Sequence, residues 1–143
     1  MRLNPRSLLL APLVAATLMG GCADVSEGES EKKEPATVAE VAGSDAKEIT
    51  LTPEAAKRID LRTAPIVDRS GTTVMPYAAL VYDPGGNTWV FTSPRPLTFV
   101  RTQVWVESIA GRDAHLSRGP PAGTEIVTVG QAELYGVENG VGH

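Results

Sequence analysis

Thr98-Phe99-Val100-Arg101-Thr102-Gln103-Val104-Trp105-Val106-Glu107-Ser108-Ile109 decides the fold. Val100, Thr102, Val104 and Val106 fall on one side of the alternation, and Phe99, Arg101, Gln103 and Trp105 on the other. That is the two-residue repeat of a strand rather than the 3.6-residue repeat of a helix. The valine side is the more uniform and is expected to face the core. Upstream, residues 74–82 form a β-prone run, and Asp83-Pro84-Gly85-Gly86-Asn87 turns it back into Thr88-Trp89-Val90-Phe91-Thr92, which predicts a hairpin. Downstream, Gly111-Arg112-Asp113 turns into Ala114-His115-Leu116-Ser117, and residues 125–130 read as the last strand.

One helix interrupts the β pattern. Thr52 offers an N-cap hydroxyl, Pro53 suits the first helical position, and Glu54 sits at the positive end of the dipole, so residues 52–59 predict a helix of about two turns. The fold class is mainly β: a small antiparallel β domain with one short helix, spanning residues 48–143.

The N-terminal third reads differently. Arg2 and Arg6 precede an apolar run over residues 8–16, followed by Leu18-Met19-Gly20-Gly21-Cys22. A basic end, a short apolar core and small residues before the cut make a secretory signal over residues 1–21. Cys22, the chain's one cysteine, follows the small pair as in the lipobox of bacterial lipoproteins, which it resembles, and is the expected lipidation site. The alternatives are an uncleaved membrane helix, for which the run is too short, and an exported protein whose cysteine has no partner within the chain. Residues 22–47 are acidic and polar and lack aromatics, the composition of a disordered tether. The expected location is extracytoplasmic, anchored to the cell membrane by lipid. The whole chain carries a formal charge of −4, and loss of Arg2 and Arg6 makes it more acidic, which argues against nucleic acid as a partner.

Residues 49–67 (Ile49-Thr50-Leu51-Thr52-Pro53-Glu54-Ala55-Ala56-Lys57-Arg58-Ile59 onward) resemble the opening segment of periplasmic adaptor subunits, or membrane fusion proteins, of resistance-nodulation-division efflux pumps. Met75-Pro76-Tyr77-Ala78-Ala79-Leu80-Val81-Tyr82, Thr88-Trp89-Val90-Phe91, residues 100–104 and Gly123-Thr124-Glu125-Ile126-Val127-Thr128-Val129-Gly130 resemble the same family's C-terminal part. The resemblance implies a membrane-proximal β domain in which the two parts come together. Full adaptors carry a β-barrel, a lipoyl-like domain and a helical hairpin between them, whereas here only residues 68–73 intervene and no heptad pattern appears. The implied function is a lipid-anchored accessory subunit of an efflux system. Its implied partner is a membrane transporter or a longer adaptor.

Catalysis is not expected: His115 and His143 lie far apart in sequence, and neither a Gly-x-Ser-x-Gly elbow nor a phosphate-binding loop is present. No cofactor or metal is expected either, because Met75 is the one methionine outside the leader and His143 with Glu27, Glu29, Glu31 and Glu34 reads as a solvated charge run. The candidate partner contacts are Arg95 in the stiff loop Ser93-Pro94-Arg95-Pro96, Trp105 opposite the valine face, and Tyr135 near the C-terminus. Trp89 and Phe91 are expected in the core; Leu134-Tyr135-Gly136 and residues 138–143 resemble the adaptor family's exit toward the transporter, the alternative being an edge strand followed by a loose tail. The alternative function is a free-standing ligand-binding lipoprotein, which would need a pocket.

Overall fold

The computed structural model describes residues 34–141. Within them the order is β1 (Ala36–Glu40), β2 (Lys47–Leu51), α1 (Pro53–Arg58), β3 (Arg62–Pro65), β4 (Val67–Arg69), β5 (Thr72–Pro76), a 3-10 turn (Tyr77–Ala79), β6 (Val81–Tyr82), β7 (Thr88–Arg95), β8 (Thr98–Ala110), β9 (Asp113–Arg118), β10 (Glu125–Val129) and α2 (Gln131–Glu138). The sheet runs β3-β10-β7-β8-β9-β5-β4, with β2 joining β1 to β8 and β6 flanking β7. Each pairing among the described residues is antiparallel. The fold is therefore mainly antiparallel β, in a curled sheet.

Two cores lie on opposite faces of the central strands. Ile49, Leu51, Phe91, Phe99, Val127 and Leu134 form one, beneath α1 and α2. Ile66, Met75, Val90, Val104, Leu116 and Ile126 form the other. Successive side chains point to opposite faces of a strand, so the adjacent pairs Val90-Phe91 and Ile126-Val127 each divide between the two cores. The expectation of a uniform valine core face on β8 is corrected for the same reason: Phe99 is buried on one face and Val104 on the other, while Val100 and Val106 are only half-buried.

The helix at Thr52 forms as expected, with its Oγ1 accepting from the Ala55 amide at 3.1 Å. Other expectations are corrected. The tether assigned to residues 22–47 ends earlier, because β1 pairs with β2 from Ala36↔Leu51 to Glu40↔Lys47. Four of the five β1 residues are exposed, so this strand is held by backbone pairing and leaves little apolar trace in the sequence. Residues 74–82 do not make one hairpin arm: β5 pairs with β4 and β9, and β6 alone pairs with β7. Ser93-Pro94-Arg95-Pro96 is not a loop, since β7 continues to Arg95 and only Pro96 and Leu97 connect it to β8. Leu97 takes a φ of 58°, a region usually left to glycine. It is held there by apolar packing and by its carbonyl, which accepts from the Leu51 amide at 2.9 Å.

A second helix, α2, stands at residues 134–136, which rules out the alternative of an edge strand there. Gln131-Ala132-Glu133-Leu134 is a run of good helix formers. Gly130 starts it at φ 96°, where a Cβ would meet Ile59 Cδ1 at 3.0 Å, and Gln131 Nε2 donates to the Ala78 carbonyl at 2.6 Å. Cys22, the leader, His143 and Glu27, Glu29 and Glu31 lie outside the described residues.

Two-sided burial sets the response to truncation. Phe91→Ala is expected to lower unfolding stability by about 3–5 kcal/mol and Ile126→Val, on the other face, by about 0.5–1.5 kcal/mol in urea titrations. Comparable small losses for both would show that the sheet is not the shared wall of two cores.

Candidate functional site

The exposed end of the sheet forms from strands that outlast their apolar partners. On the face that carries Val90 and Val104, the next pair along β7 and β8 is Thr92 and Thr102, whose hydroxyls lie 3.3 Å apart. Thr92 Oγ1 also donates to the Val100 carbonyl at 3.1 Å. The core thus gives way to a hydroxyl floor, and a groove of about 640 Å³ opens over it, walled by Pro94, Gln103, Trp105, Arg118 and Glu125. Gly119 lies on its rim, so close to the core that a Cβ would meet Leu116 Cδ1 at 3.0 Å and Val104 Cγ1 at 3.2 Å.

Trp105 is 40% exposed, as its expected role requires. It pairs across β8 and β9 with Arg118, whose guanidinium carbon sits 4.7 Å from the indole centroid, a cation–π contact. Sequence reading missed Arg118, although the turn at Gly111-Arg112 places it opposite Trp105 by simple counting along a hairpin. Bulges on either side of Val106 keep that pairing while the strand bends.

The other two expected contacts are engaged elsewhere. Arg95 is exposed but its Nη2 is 2.6 Å from Glu48 Oε1. Tyr135 is half-buried on α2, with Arg101 5.9 Å from its ring centroid. The structure does not bring Arg95, Trp105 and Tyr135 into one site.

Tyr135 belongs instead to a buried charge cluster. Glu138, 4% exposed, accepts at Oε1 from Arg101 Nε at 3.0 Å and from the Lys47 amide at 3.2 Å. Its Oε2 lies 2.8 Å from the same Nε yet accepts no hydrogen bond. Arg101 in turn lies over Trp89, 4.3 Å from the ring centroid. Trp89 is thus half-buried rather than a core residue as expected, while Phe91 is fully buried. This cluster ties α2 to β2, β7 and β8.

Trp89 also donates from Nε1 to Asp83 Oδ2 at 3.0 Å. Hydrogen bonds from Asn87 and then Trp89 hold the Asp83 carboxyl down to about 2. Nearby, Tyr77 and Tyr82 form an exposed aromatic pair, and the Tyr82 phenol is raised by its hydrogen bond with Tyr77, then by burial and by the neighbouring Tyr77 charge. Neither tyrosine stands out in the sequence, because a continuous strand would have hidden the 3-10 turn that brings them together.

His115 is half-buried in β9, paired with Val74 and Ser108. Among the described residues, no three His, Cys, Asp or Glu side chains are grouped to hold a metal ion, and no helix is long and apolar enough to cross a membrane. No family model matches the chain, and no curated protein and no solved structure matches it.

Two outcomes follow from these contacts. Removing one member of the buried pair, by Arg101→Leu or Glu138→Leu, is expected to cost about 3–5 kcal/mol, while the double replacement recovers most of that loss; a urea-based double-mutant cycle measures it. Because the Asp83 carboxyl is depressed in the folded chain, its contribution is complete above its ordinary value of 3.8 and disappears as pH falls through about 2. Asp83→Asn should flatten the dependence of melting temperature on pH across that window, and an unchanged slope would remove Asp83 from the acid response.

Proposed function

We propose that this chain is a lipid-anchored, adaptor-like accessory subunit of a membrane efflux system, acting by protein–protein docking and not by catalysis. The observation that carries this reading is the pairing of the two stretches with the adaptor resemblance. From the opening segment, β2 pairs with β8 and β3 with β10, so the strands that the resemblance expects to meet are neighbours. That support is a fold-level analogy, and the docking role rests on surface chemistry. The Tyr77–Tyr82 pair offers exposed aromatic area with polar tips, the type of surface enriched at interfaces. Its partner on this reading is the extracytoplasmic face of a transporter of the resistance-nodulation-division type or a longer adaptor, and the membrane is reached through Cys22.

The groove beside Trp105 supports the second reading, a ligand-binding lipoprotein. The filled cores leave room for it because it lies at the sheet's end rather than between the core layers.

Affinity purification from solubilised native membranes, with a tag placed between Cys22 and Glu34 ahead of β1, tests the first reading. A transporter or longer adaptor should be recovered in fixed ratio, and Tyr77→Ser with Tyr82→Ser should reduce that recovery about tenfold, as loss of an aromatic hot spot does. Recovery of the chain alone, under conditions that keep pumps assembled, would overturn the docking role.

A further inference from the structure

We infer that the groove between Trp105 and Glu125 is a binding site for a neutral, hydroxyl-rich glycan chain. The inference stands apart from the docking role, since it uses neither Tyr77 nor Tyr82.

Three features of the groove select the ligand. Hydroxyls line part of the groove: Thr92 and Thr102 follow Val90 and Val104 outward on the same face, and beyond their own hydrogen bonds they keep acceptor lone pairs. Its walls carry one cation, Arg118, and one anion, Glu125. Among the described residues neither has an ion-pair partner, and together they leave no net charge to select a phosphate or an acid. Its one aromatic surface is the Trp105 indole, with Pro94 and Pro120 also in the lining. Arg118 lies over a face of that ring and steadies it against the wall, while the exposed remainder offers a flat platform to the C–H face of a sugar ring.

The hydrogen-bonding groups favour a glycan over a peptide. Thr92 and Thr102 keep acceptor lone pairs beyond their own bonds, Glu125 accepts and Arg118 donates, so the groove both accepts and donates. Sugar hydroxyls share that dual character. A peptide in extended form is read chiefly by an unpaired strand edge, but β7 and β8 are paired with each other here, with Thr92 opposite Val100 and Val90 opposite Thr102. The groove's recognition groups are therefore side chains. Among the described residues Glu125 and Arg118 are exposed and make no side-chain hydrogen bond, so both are available to a ligand.

The test uses the full chain in a detergent without a sugar headgroup, titrated separately with cellohexaose, the hexamer of β-1,4-linked N-acetylglucosamine, and a decaproline peptide. Indole fluorescence and amide chemical shifts provide the readout. At least one hexasaccharide should give saturable binding, with shifts centred on Thr92, Thr102 and Trp105. Trp105→Ala should weaken binding at least about tenfold, and Glu125→Gln about threefold or more, each with an unchanged melting temperature. If Trp105→Ala lowers the melting temperature, Glu125→Gln decides the result, because Glu125 is exposed at the groove. Failure of both hexasaccharides to bind would overturn the proposal. Binding that ignores these substitutions, or binding of decaproline alone, would overturn it as well.

Discussion

The fold depends on β7, β8 and β10 being buried on both faces. A sheet with one wet face can be specified by alternation alone, since a polar residue follows each apolar one. Here Val90-Phe91 and Ile126-Val127 put apolar side chains into both cores from adjacent positions, so a slip of one residue would exchange the contents of the two cores rather than expose them. Register must then come from shape. Phe91 and Phe99 lie under the helices, and the smaller Val90, Val104 and Ala114 fill the opposite side. Jigsaw packing of that type, with Phe91, Phe99, Met75, Ile126 and Leu134 fully buried, favours one arrangement over its alternatives.

Much of this was legible in the sequence wherever chemistry is local. Thr52-Pro53 declared α1, Asp83-Pro84-Gly85-Gly86-Asn87 declared a turn, and the alternation from Thr98 declared the longest strand. What escaped was nonlocal. β1 has almost no buried side chains and exists because Ala36–Glu40 finds β2 across a turn. α2 was hidden by the glycines around it, although Gly130 is the residue that permits the tight approach to Ile59 at its start. The same limit applies to the site. Exposure of Trp105 followed from its position opposite the valines, and hairpin counting reaches Arg118, but the groove's neighbours from the ends of β7 and β10 come from strands whose meeting no spacing in the chain predicts.

The charged residues divide their work by depth. Arg69 with Asp113, Arg62 with Asp60 and Arg95 with Glu48 lie at the surface, where such pairs contribute little. Arg101 and Glu138 are withdrawn from water, with side-chain exposures of 13% and 3%, and there the geometry of the pair fixes where α2 can sit. Leu134 supplies apolar attachment to the helix, and Glu138 supplies position. Arg118, by contrast, is held by an aromatic face and retains its hydrogen-bonding capacity for other groups.

The position of β1 has a mechanical side. Residues that precede Glu34 join the domain at the Ala36 end of β1, which is the open end of the β1–β2 ladder; the turn closes the other end beyond Glu40 and Lys47. Tension arriving through that segment loads the Ala36↔Leu51 pair first and then each next pair in turn, so the ladder unzips instead of resisting in parallel. β1 itself has no fully buried side chain to expose, and Ala36 is its one residue packed on the first core. The hairpin therefore behaves as a slack-releasing fuse: a pull lengthens the connection by a short stretch of extended chain before it reaches the folded body behind it.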